Sequence, residues 1–226
     1  MLEKQSYVSI PTSPSVPSEL TANKVLRNTY MLLSMTLLFS ALMAGVAMAT
    51  QMPPMHWLLT IAGYFGLLYL TTALRNSVWG IAAVFALTGF MGLTLGPILN
   101  LYLGLPNGPQ VVMTALAGTG VIFLSLSGYA LVTRKDFSFM GAFLMVGILV
   151  AFLASIGGLL FNLPGLSLAV SAMFVLLMSG MILYQTSEII HGGETNYIMA
   201  TVSLYISLYN LFLSLLQLLT AFSGDD

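Results

Sequence analysis

The chain alternates long apolar runs with short polar breaks. Residues 28–74, 76–133, 137–187 and 195–224 contain no Asp, Glu, Lys or Arg. A membrane-spanning helix needs about 20 consecutive apolar residues, so each run is long enough for one or two crossings. The breaks fall at residues 51–55, 75–77, 102–109, 134–137, 162–165 and 190–196. They predict helices near 27–50, 55–74, 78–100, 110–132, 138–160, 166–189 and 197–220. These runs are rich in Leu, Met, Ala and Gly and lack the alternation of barrel strands. In hydrocarbon, moreover, a helix satisfies its own backbone groups. The expected fold is all-α, a polytopic membrane bundle of seven transmembrane helices.

The last predicted helix carries the most organised polar pattern. Asn196, Ala200, Ser203, Ser207, Asn210, Ser214 and Gln217 recur at spacings of four and three, which lines them along one stripe of a helix. An unpaired amide in hydrocarbon is costly, so Asn210 and Gln217 should point into the bundle and the seventh helix should be central. The stripe reads either as interhelical packing or as a polar pathway. Small residues also recur at four-residue spacing in Ala41, Gly45 and Ala49, in Gly92 and Gly96, and in Gly147, Ala151 and Ser155. Such ridges allow close helix approach. Pro97 lacks an N–H, so the third helix is expected to bend or end near it.

Residues 1–23 are polar and punctuated by Pro11, Pro14 and Pro17. They lack the apolar content to fold alone and carry no h-region of a cleavable signal, and they read as a flexible tail. The seven-helix domain then covers residues 24–222, followed by a short acidic stretch at 223–226.

Composition sharpens this picture. Only 6% of the 226 residues are charged and 58% are hydrophobic, whereas a soluble domain carries roughly a quarter charged residues. Lys4, Lys24, Arg27, Arg75, Arg134 and Lys135 all fall on the tail or on the second and fourth connections, hence on one face. Basic residues stay cytoplasmic. That places the N-terminus inside and, after seven crossings, the C-terminus on the periplasmic side. Six scattered cations at a net charge of −1 exclude a nucleic-acid partner, and the absence of cysteine excludes disulfides and thiolate metal sites.

Candidate chemistry is sparse. Glu188, His191 and Glu194 have metal-ligand side chains at three-residue spacing, but Gly192 and Gly193 interrupt them, and the stretch reads as a helix cap and turn. Ser125 and Ser127 have no nearby His and read as packing hydroxyls. With no intramembrane carboxylate pair, HExxH or phosphate loop, no catalytic residue, cofactor or metal is expected.

Four strings resemble the Bax inhibitor-1 family of membrane proteins, and in it the bacterial, YccA-like branch. They are KVLRNTY at 24–30, TGFMGLTLGPILN at 88–100, TRKDFSF at 133–139 and SEIIHGGETNYIMATVSLYISLYNLF at 187–212. The resemblance implies seven helices with the last surrounded by the other six. It also implies two different activities. Ion-conducting relatives are similar to calcium leak channels gated by an aspartate pair on helices six and seven. Matching those motifs onto ILYQTSEII and LYISLYNLF puts the two positions at Gln185 and Ser207, neither of which is a carboxylate. A Gln–Ser pair cannot titrate, and hard cations favour charged oxygens. The bacterial branch instead implies a non-enzymatic inner-membrane partner of the ATP-dependent protease FtsH, restraining its degradation of membrane proteins. The leading expectation is that FtsH modulator. The alternatives are a calcium or ion leak along the stripe and a transporter of a small neutral solute.

Overall fold

In the computed structural model, which describes residues 19–223, the chain forms seven helices: α1 (Glu19–Ala49), α2 (Trp57–Leu74), α3 (Trp79–Leu103), α4 (Gly108–Thr133), α5 (Met140–Leu160), α6 (Pro164–His191) and α7 (Tyr197–Ser223). All seven are long and apolar enough to cross a membrane. Lys4, most of the tail and residues 224–226 lie outside the described residues, whereas 19–23, read above as tail, form the first turn of α1.

The helix ends follow from local chemistry. Gln51, Arg134 and Asn162 adopt positive φ just beyond α1, α4 and α5, at three of the breaks predicted above. Gly192 ends α6 with φ 78°, a left-handed conformation that only glycine takes without strain. Asn196 then caps α7, its Oδ1 accepting the N–H groups of Ile198 at 3.0 Å and Met199 at 3.1 Å. One helix end departs from expectation. Pro97 neither ends α3 nor shortens it; the helix continues to Leu103, and Pro97 instead lines a cavity. Its missing donor falls where the helix borders that open space rather than a packed neighbour.

Burial ranks the helices. No residue of 197–221 is exposed, while α2 buries only Thr71. α7 is walled by α1, α3, α4 and α6; α2 stands outside against α3, and α5 stands outside against α6. The last helix is therefore central, but four neighbours enclose it rather than six. Helices α1 and α3 make the closest approach. A side chain at Gly92 or Gly96 would run into the α1 backbone at Ser40 and Ala44, so glycine there is a packing requirement. The ridge of Ala41, Gly45 and Ala49 does not serve that contact. All three are exposed, and the α1 residues facing α3 are Ser40, Ala44 and Ala47, one position to the side. Gly147 and Ala151 do pack inward, the former against Leu177, while Ser155 is exposed.

Polar side chains cross-link the interior. Ser40 donates to the Tyr205 hydroxyl at 2.5 Å, which leaves Tyr205 to donate to the Thr88 carbonyl at 3.3 Å. Thr186 lies 3.3 Å from Ser127 and 3.4 Å from Tyr30, joining α4, α6 and α1. Ser127 thus packs inward as expected, whereas Ser125 is exposed.

Candidate functional site

Within the stripe, Ser203, Ser207, Asn210, Ser214 and Gln217 occupy one length of α7 but meet different partners. Ser207, 2% exposed, donates to Gln185 Oε1 of α6 at 3.2 Å and approaches the Ser203 carbonyl of its own helix at 3.1 Å. Gln185 and Ser207, expected from the resemblance to stand at the aspartate positions, are thus in direct contact as a neutral amide and hydroxyl. Further along, Gln217 is fully engaged with α6. Its Nε2 donates to Ser167 at 2.7 Å and its Oε1 accepts from Ser171 at 2.7 Å. Asn210 donates to the Ile206 carbonyl at 2.9 Å and turns the rest of its amide to a cavity beside α2 and α3. Ser214 is buried at 8% exposure, and Ser203 lines a second cavity.

Two recesses approach this stripe from opposite ends. The wider one, about 790 Å³, opens at the α1–α2 connection among Gln51, Met52 and Met55 and runs inward along Pro97 and Asn100. It adjoins a recess of about 280 Å³ through shared Thr60, Thr94 and Tyr209, and this inner part reaches Asn210. From the other end a recess of about 140 Å³ is lined by Gln185, Glu188, Glu194 and Ser203. No residue lines both the Asn210 recess and the Ser203 recess. The Gln185–Ser207 hydrogen bond lies in the turns of α7 between them. Ser203 and Asn210 are seven residues apart, roughly 10 Å along a helix axis, so the barrier is about two turns thick.

The end with the smaller recess is held by hydrogen bonds. His191 does not join Glu188 and Glu194; its Nε2 lies 3.1 Å from the Arg134 carbonyl and its Nδ1 2.9 Å from the Ser187 carbonyl. Ser187 Oγ accepts the Phe137 N–H at 2.9 Å. Glu194 Oε1 accepts the Asn196 N–H at 2.7 Å, and Asn196 Nδ2 donates to the Arg75 carbonyl at 3.0 Å and to Asn76 at 2.9 Å. The α6–α7 turn therefore clasps both other connections at this end, which carries every basic residue of the described part of the chain. The cap-and-turn reading of 188–196 holds in the geometry. Among the described residues no three His, Cys, Asp or Glu side chains converge to hold a metal ion. Asp136, exposed in the α4–α5 connection, is held below the usual carboxylate range. The Ser138 backbone N–H at 2.8 Å is the main cause, followed by the Ser138 hydroxyl and the charge of His191.

Sequence reasoning missed Ser167, Ser171, Tyr205 and Tyr209. Each pair sits at four-residue spacing, the signal of a shared helix face, but a serine pair or tyrosine pair in a long apolar run carries no sign of which helix it meets.

Comparison with known proteins adds the ancestry. Residues 22–224 match the family described as "Inhibitor of apoptosis-promoting Bax1". The Escherichia coli protein named "Modulator of FtsH protease YccA" is 50% identical over 216 residues, covering 96% of this chain and 98% of its own length. A protein of the same sequence identity from another Escherichia coli strain is named "Inner membrane protein YccA". An uncharacterized protein of Pseudomonas aeruginosa is 52% identical over the whole of both chains. With seven spans and relatives this close along its full length, the chain is a multi-pass inner-membrane protein, and it belongs to the Bax inhibitor-1 family.

Proposed function

We propose that this protein binds the membrane-anchored protease FtsH and restrains its degradation of membrane proteins, without catalysing a reaction itself. The observation that carries the reading is the full-length 50% identity to a protein named as a modulator of that protease. The bundle supports it physically. A central helix with no exposed residue over 197–221, tied to its neighbours by buried hydrogen bonds, resists being pulled out one helix at a time. The polar segment before α1, punctuated by Pro11, Pro14 and Pro17, offers an unfolding machine something to grip. The gathering of Lys24, Arg27, Arg75, Arg134 and Lys135 at one end supports an orientation with that segment and the α6–α7 turn in the cytoplasm and the C-terminus in the periplasm. The protease would thus hold a substrate that it processes slowly. Deleting residues 2–20 and following FtsH-dependent turnover in cells tests this: the truncated chain should escape FtsH, and unchanged turnover would count against the handle.

A second reading, an ion leak, draws on the two recesses aimed at one stripe. Its barrier would be the Gln185–Ser207 contact. Because neither group titrates in the physiological range, such a leak would not be opened by protonation of that pair. Calcium flux into proteoliposomes separates the readings. Flux that Asn210→Leu abolishes in a folded protein favours the pore; absence of flux with copurification of FtsH from native membranes favours the modulator.

A further inference from the structure

Ala41 and Gly45 of the exposed ridge, which the packing of α1 leaves unused, border a cleft between α1 and α4. The cleft encloses about 380 Å³, with Leu37, Ala41 and Gly45 on one side, Leu116 and Gly120 on the other, and α7 as its floor. α1 and α4 both pack on α3, α6 and α7 and face one another across it. Leu37 and Leu116 are 37% and 52% exposed, so the cleft is continuous with the lipid-facing surface of both helices. Gly45 and Gly120 have no atom within 4 Å of where a Cβ would stand. The space is therefore open at both walls.

We propose that this cleft binds one acyl chain of a phospholipid. Its length fits: on α1 the lining runs from Leu37 to Met48, eleven steps of about 1.5 Å or roughly 16 Å. That is about half of a hydrocarbon core roughly 30 Å thick, the depth of one leaflet. Its volume excludes a helix, since a single helical turn about 10 Å across and 5.4 Å tall already occupies roughly 400 Å³. Its lining is apolar, and the polar groups at its deep end, Ser40 and Tyr205, are already bonded to each other and to Thr88. They ask nothing of the occupant, as a terminal methyl requires. The cleft lies in the half of the bundle at the C-terminal end of α1, so the chain enters from the leaflet on the side of the α1–α2 connection. Met48 and Tyr209 line both this cleft and the recess that opens at that connection. The acyl chain thus packs against the wall of that recess, and Tyr209 takes contacts from both sides.

The full chain, reconstituted in vesicles of phosphatidylethanolamine and phosphatidylglycerol carrying an acyl-chain diazirine, tests this by residue-level mapping of photoadducts. Tyr205, Leu208 and Tyr209 of the otherwise enclosed α7 should be labelled well above fully buried Val84 of α3. In Gly45→Leu and in Gly120→Leu, which fill the open walls, that labelling should fall to the Val84 level. Labelling of Val146 and Leu149 on the outward face of α5 should stay constant. Wild-type labelling of α7 no higher than Val84, or labelling that persists in a folded filled variant, would overturn the assignment. Should one variant fail to insert, the other decides, and the wild-type map is decisive without either.

Discussion

Gln185 and Ser207, the two positions that the sequence resemblance singled out, meet at 3.2 Å. The pair joins α6 to α7 by an ordinary neutral hydrogen bond, and the burial of Ser207 makes a clear prediction. Ser207→Asp should insert and express normally, because the site faces the interior; facing lipid it would cost roughly 2.5–3.5 kcal/mol and lower the yield sharply. Gln217 makes two interhelical bonds to α6. Gln217→Leu should destabilise the protein by about 1–2 kcal/mol in a detergent unfolding titration, the range for such bonds in membranes. Thr29 works the other way. Its Oγ1 is the buried side-chain oxygen without a partner among the described residues, while its carbonyl accepts from Thr201 at 3.3 Å. Thr29→Val keeps the shape and the carbonyl and removes an unmet polar group, and should stabilise by about 1 kcal/mol in the same titration. The polar stripe was legible in the sequence because spacing alone fixes a helical face. Its partners were not, because Ser167 and Ser171 are recognisable as bond donors and acceptors only once α6 lies beside Gln217.

At the scale of elements, the α6–α7 turn does more than reverse the chain. Asn196 caps α7 and also bridges to the α2–α3 connection. Asn196→Ala should cost about 1–2 kcal/mol, the upper range for a lost cap. It should also speed amide exchange at Ile198 and Met199. Asp136 caps the start of the α4–α5 connection through Ser138. Because its pKa is lowered on folding, this contribution is complete at neutral pH and is lost as pH falls through the lowered value. Helix number and the breaks at Gln51, Arg134 and Asn162 could be read from the chain, since charge-free runs and turn residues report them directly. Two readings depended on surroundings that the chain alone does not show. Pro97 was expected to bend or end α3, and Ala41, Gly45 and Ala49 were expected to pack a helix, yet the surroundings decide both. Pro97 borders a cavity, and Ala41 and Gly45 of the ridge stand back from α4 and form one wall of a cleft.

At the scale of the molecule, burial concentrates on α7 and thins outward to α2 and α5. Such a bundle offers the membrane two outer helices around an enclosed centre. This gradient suits the proposed slow extraction by a protease, with the polar segment before α1 as the proposed grip and the buried contacts of α7 as the resistance. Ancestry alone gives no account of that division. Purified FtsH and this protein, co-reconstituted in proteoliposomes with a membrane substrate and ATP, provide the most direct test. The account predicts that the full chain slows substrate degradation and that a chain lacking residues 2–20 does not. Degradation at the same rate with and without the full chain would contradict it.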